Sequence, residues 1–90
     1  MKILVADKLA DEGLEFLKTA GVAFDVKVGL KEDELAAAVP AYDALIVRSG
    51  AKVTAKVLAS PGLLKAIARA GVGVDNIDLE TARNRSILVT

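Results

Sequence analysis

Unbroken aliphatic runs recur along this chain: Ile3–Ala6, Ala44–Val47 and Ile87–Val89 carry no polar residue between their ends. A strand with one wet face alternates apolar and polar residues, whereas a run without alternation belongs to a strand covered on both faces, the situation in a parallel sheet. Segments with helical spacing of apolar residues separate the runs, and strand alternating with helix is the pattern of βαβ units. Strands are expected at Lys2–Ala6, Val22–Val28, Ala44–Val47, Leu64–Ala68 and Ile87–Val89. The first helix is expected from Leu9 to Ala20, with Leu9, Leu14, Phe16, Leu17 and Ala20 on its apolar face and Gly21 at its C-cap. A second, Glu32–Val39, stops at Pro40, and a third, from Thr54 as N-cap through Leu58, is broken by Ser60, Pro61 and Gly62. Asp78 is placed to cap a fourth, from Leu79 to about Arg85.

Five strands with right-handed crossovers leave few arrangements open, and the expected fold is α/β: a flavodoxin-like, doubly wound parallel sheet of order 2-1-3-4-5. Such a sheet is normally closed by a helix after its fifth strand; here the final helix is expected to be missing, because the sequence stops at Thr90. Ninety residues, 53% of them hydrophobic, suit a single domain spanning 1–90.

Composition excludes several chemistries. The chain has no Cys and no His, so thiolate chemistry, a Cys-ligated zinc and a Ser-His-Asp triad are all impossible within it. Twelve Lys and Arg balance twelve Asp and Glu, so the long-range field that draws proteins to nucleic acid or acidic membranes is missing, and neither partner is expected. The apolar runs are far shorter than the ~20 residues of a membrane span, and no signal-peptide pattern opens the chain. A soluble, cytosolic protein is expected.

Ligands of open parallel sheets bind beyond the carboxyl ends of the strands. There the sequence places Asp7 and Lys8, Gly29 and Leu30, Arg48 to Ala51, and Arg69 to Asn76. Arg48 offers a planar fork for carboxylate or phosphate, with the Ser49 hydroxyl and the backbone N–H groups of Gly50 and Ala51 beside it. The alternative is a solvated arginine in an ordinary turn. In Arg69–Asn76 (RAGVGVDN), Gly71 and Gly73 allow a ligand close to the backbone of Val72 to Val74, or else the segment is a plain connection whose Asp75 and Asn76 cap the next helix. It is no dinucleotide fingerprint, since it does not follow the first strand and has Asn76 where the motif needs glycine.

Two long strings at these strand ends, ALIVRSGAKVT (Ala44–Thr54) and RAGVGVDNIDLETA (Arg69–Ala82), together with KILVADKLADEGLEFL (Lys2–Leu17) and ILV at Ile87, resemble the D-isomer-specific 2-hydroxyacid dehydrogenases. The resemblance implies a substrate-binding lobe, with an NAD-binding Rossmann domain that is absent here and that holds the family's catalytic Arg, Glu and His. It implies that Arg48, Ser49 and Gly50 touch the anionic end of a small substrate. Arg69, Val72, Gly73 and Val74 would meet its carboxylate, and Val72 and Asn76 would border the cofactor. Ala51 stands where the family often has Thr, and Ser86 where Gly is expected.

An isolated lobe of this kind is expected to be inactive, to bind anions weakly, to hold no cofactor of its own, and to pair as a homodimer through its uncovered sheet face. Two other readings compete. One is an excised or engineered folding unit without ligand function. The other is a phosphorelay receiver, which shares the architecture and opens with a strand ending in an acid, but which needs an aspartate where Arg48 follows the third strand.

Overall fold

The computed structural model describes residues 1–48, 50–70 and 76–90. Five parallel strands form one sheet of order β2-β1-β3-β4-β5: β1 is Lys2–Val5, β2 Ala23–Val26, β3 Ala44–Val47, β4 Ala66–Arg69 and β5 Leu88–Val89. Among the described residues three helices accompany them, α1 at Asp11–Thr19, α2 at Glu32–Ala38 and α3 at Leu79–Asn84, and a 3₁₀ turn at Val39–Ala41 extends α2. The topology is the expected flavodoxin-like one.

Register assigns each side chain to a face. Asp25, Leu4, Leu45, Ile67 and Val89 lie abreast across the sheet. Leu4, Leu45 and Ile67 are fully buried there, in a core completed by Leu35 and Val39 around α2, by Val57 and Leu58, and by Ala82 and Ile87 around α3. The opposite face carries the rows Phe24, Ile3, Ala44, Ala66, Leu88 and Val26, Val5, Ile46, Ala68. Among the described residues α1 and its flanks pack on it, with Leu17 against Ile3 and Val5 and with Leu9 and Val22 beside them. Cover therefore fades toward β5: Ile3 and Val5 are buried, Ala44, Ile46, Ala66 and Ala68 half-buried, and Leu88 is 64% exposed.

The structure revises several expected elements. Thr54–Leu58 is one turn rather than a helix: Leu58 N–H reaches Thr54 O at 3.1 Å, Val57 N–H approaches Thr54 Oγ1 at 3.4 Å, and Ser60-Pro61-Gly62 prevents a second turn. Gly62, at φ +60°, lies so close to Pro40 that a Cβ there would come within 2.6 Å of the proline ring. Phe16, assigned to the apolar face of the first helix, is 71% exposed, because one residue of helix turns it about 100° from Leu17. Ile87 precedes β5 instead of opening it, since its N–H bonds Ala82 O at 2.9 Å and so ends α3.

Both α1 and α3 stop in the same way. After α1, Gly21 at φ +72° sends its N–H to Lys18 O and Val22 sends its N–H to Leu17 O, the paired bonds of a Schellman motif. After α3, Ser86 N–H reaches Arg83 O and Ile87 N–H reaches Ala82 O, with Ser86 at φ +59°. The departure from glycine noted in the sequence thus falls on a left-handed residue. At the start of α3, Asp78 is the N-cap, accepting from Thr81 N–H at 3.0 Å.

Candidate functional site at the carboxyl edge

The carboxyl ends of β1, β3 and β4 are tied together by two side chains. Asp7, directly after β1, is a buried carboxylate with 8% of its surface exposed. It accepts the backbone N–H of Arg48 at 2.6 Å and that of Ala51 at 2.9 Å, the latter shared between both oxygens. A carboxylate removed from water is tolerated when charge-assisted hydrogen bonds replace its hydration. Gly50 is needed beside it, because a Cβ there would lie 2.7 Å from Asp7 Oδ1.

Asn76 works from the other side. Its Nδ2 donates to Arg48 O at 2.5 Å and Ala51 O at 2.7 Å, while its Oδ1 accepts from Arg69 Nε at 3.0 Å. The backbone continues the link, with Val53 N–H bonded to Asn76 O at 2.7 Å and Asp78 N–H to Val53 O at 2.8 Å. The chain ends leaving β3 and β4 are thereby joined.

Arg48 is exposed at this junction, and among the described residues its guanidinium makes one hydrogen bond, from Nη1 to Lys8 O at 3.2 Å. An exposed planar cation is the part of this edge best suited to an anion. Beside it a groove of about 220 Å³ runs between Asp7, Gly29, Leu30 and Gly50. Among the described residues, no group of three His, Cys, Asp or Glu converges as a metal site would require.

The geometry brings Arg48, Arg69 and Asn76 together, with Gly50 beside Asp7, and changes what some of them offer. The N–H groups of Arg48 and Ala51 are held by Asp7, so Ala51 N–H does not face a ligand, and Gly50 makes room for a carboxylate of the protein itself. Asn76 does not cap α3, which is Asp78's part, and its carboxamide is committed to Arg48, Ala51 and Arg69. Ser49, Val72, Gly73 and Val74 lie outside the described residues. A dinucleotide does not fit the β1–α1 connection: no glycine occurs from Ala6 to Glu12, and the first turn of α1 carries Asp11 and Glu12, which would repel a diphosphate.

Sequence reasoning placed Asp7 at a strand end but missed its task, as it missed that of Asn76. The available signal was a lone acid closing an aliphatic run, where a charge must find partners. A second polar cluster lies toward the amino ends of the strands, where Tyr42 donates its hydroxyl to Asp25 at 2.6 Å and Lys2 approaches the same carboxylate at 3.5 Å. The bond to Asp25, aided by burial, pushes the Tyr42 phenol up to about 12, and the same bond holds Asp25 below the usual carboxylate range. This cluster braces the sheet rather than the ligand edge.

Residues 3–90 match the family model described as the D-isomer specific 2-hydroxyacid dehydrogenase, catalytic domain. A D-3-phosphoglycerate dehydrogenase from Archaeoglobus fulgidus is 45% identical over 89 residues, which are 99% of this chain and 17% of that protein. Among solved structures, a protein from Pyrococcus horikoshii superposes with a TM-score of 0.92 at 36% identity, covering 99% of this chain and 26% of that one. An NAD+-bound 3-phosphoglycerate dehydrogenase from Entamoeba histolytica gives 0.86 at 30% identity, over 99% of this chain and 32% of that one. The chain spans about a sixth of the curated relatives' length. With the family model matched over residues 3–90 and relatives at 45% identity covering nearly all of it, the chain belongs to the D-isomer-specific 2-hydroxyacid dehydrogenase family.

Proposed function

We propose that this chain is the substrate-binding lobe of an NAD-dependent D-3-phosphoglycerate dehydrogenase, an oxidoreductase of serine biosynthesis, and that Arg48 receives the anionic end of the substrate. The observation that carries this is the exposed Arg48 guanidinium, held where the chain ends of β3 and β4 are joined, on the edge at which parallel sheets bind ligands. Ser49, Gly50, Arg69, Val72, Gly73 and Val74 complete the assignment by resemblance. The lobe supplies binding and orientation only. It has no His and no dinucleotide loop after β1, so hydride transfer is assigned to a partner domain that holds NAD. The compartment proposed with this reading is the cytoplasm.

One charge-assisted pair is worth roughly 1.5–3 kcal/mol, against about 4 kcal/mol for a millimolar complex, so the lobe alone should bind D-3-phosphoglycerate at millimolar strength or weaker. Amide shifts in an NMR titration should centre on Arg48 and vanish in Arg48→Ala, while reduced-nicotinamide absorbance stays flat with substrate and NAD present. Shifts that map elsewhere and persist in the variant would refute the assignment.

The half-covered face of the sheet favours a second statement: the lobe pairs with another copy of itself through β3, β4 and β5. Ala66, Ala68 and Leu88 lie outside the cluster that α1 covers, and Ala44 and Ile46 at its margin are only half-buried; contiguous apolar patches of this kind mark association sites.

A further inference from the structure

We infer that Asp7 and Asn76 are positioning residues that preset the Arg48–Ala51 segment, each gripping both of its ends, an inference that rests on Arg48 being the anion contact. Residues 48 and 51 together present two backbone N–H groups and two carbonyls. Both N–H groups go to one carboxylate, and both carbonyls go to one carboxamide. The two side chains are matched in kind to what they hold: a carboxylate only accepts, and the carboxamide nitrogen only donates. Exchanging the two types would set a carboxylate against carbonyls.

Asp7 is the one buried charged residue among those described, and no Lys or Arg side chain pairs with it there. Its charge is met by backbone N–H groups, which must point inward, so Arg48 leaves the segment with its main chain fixed. The cost is electrostatic, because a negative charge then sits behind a site for anions. Asn76 extends the hold to β4, since its Oδ1 engages Arg69 Nε. The Arg48 guanidinium is thus carried by a main chain secured from β1 on one side and from beyond β4 on the other.

This arrangement makes opposite predictions for charge and for position. Asp7→Asn removes a like charge near the anion, so a purely electrostatic role predicts tighter binding of D-3-phosphoglycerate. A positioning role predicts weaker binding, by about tenfold, because the variant amide can accept only through one atom and sets its own N–H donor against the Ala51 N–H. The experiment combines hydrogen exchange at the Ala51 amide with NMR titration by D-3-phosphoglycerate and inorganic phosphate, in the wild type, Asp7→Asn and Asn76→Asp. In both variants Ala51 protection should fall about tenfold relative to Leu45 and Ile67, and affinity at Arg48 should fall with it. Unchanged Ala51 protection in either variant, or tighter binding in Asp7→Asn, overturns the inference. A wild type that binds neither anion defeats the anion-site reading alone, and the exchange result still decides the grip. Should Asp7→Asn lose protection at Leu45 and Ile67 as well, Asn76→Asp decides: Ala51 protection that falls there while Leu45 and Ile67 stay protected upholds the inference, and unchanged Ala51 protection refutes it.

Discussion

Replacing Ser86 with glycine should stabilise the fold, and the two helix ends provide the means to measure it. Ser86 occupies the left-handed region at φ +59°, where a residue with a Cβ loses roughly 1–2 kcal/mol relative to its right-handed alternative. Glycine escapes that loss but gives back about 0.5–1 kcal/mol through the greater freedom of its unfolded chain. Ser86→Gly should therefore gain about 0.5–1 kcal/mol, which in a domain of this size raises the thermal midpoint by about 2–8 °C. Gly21 supplies the reverse experiment in the same motif: it sits at φ +72° with nothing within 4 Å of the place a Cβ would take, so Gly21→Ser adds only the backbone strain and should lose a similar amount. Urea unfolding followed by circular dichroism, with the slope checked for constancy, reads both. A lower midpoint for Ser86→Gly would show that the Ser86 side chain contributes more than its backbone strain costs, and would refute the reasoning.

Gly62→Ala should be far more damaging than Gly21→Ala, by about 2–4 kcal/mol in the same urea assay, because it adds a clash with Pro40 to the left-handed strain. Stability should decline as pH rises from about 10 to about 12, since the folded state keeps the Tyr42 proton that the unfolded chain releases near 10; Tyr42→Phe should flatten that limb of the profile. On the acid side, Asp25 contributes stability above its unfolded value of 3.8 that is lost as pH falls through its lowered folded value, which the same pH series tests. Leu88→Lys should convert a dimer to a monomer in light scattering across a dilution series, and a wild type already monomeric at high micromolar concentration would remove the self-association statement.

The sheet was legible because its strands are written as aliphatic runs and its helix ends as Gly21, Pro40 and Asp78, all local signals. Thr54–Leu58 misled because a good cap and two apolar residues resemble a helix start, while the stop at Ser60-Pro61-Gly62 leaves room for one turn. Phe16 misled because an apolar residue next to an apolar face is not on it. The bonds of Asp7 span 41 and 44 residues, and those of Asn76 to Arg48 and Ala51 span 28 and 25, so no local pattern announces them. Gly50 was read as offering a backbone N–H to a ligand, but its missing side chain makes room for the protein's own carboxylate, visible only once β1 and β3 are adjacent.

The edge strands bear on how far self-association can go. Strand β5 is two residues long, and β2 carries Asp25 with Lys27 just beyond it, so neither rim of the sheet offers a long apolar template for strand addition. Copies that meet through the β3–β5 face consume that surface in a self-complementary contact, which closes at two. Growth into fibres would require a free rim, and both rims here are blunted by length or by charge.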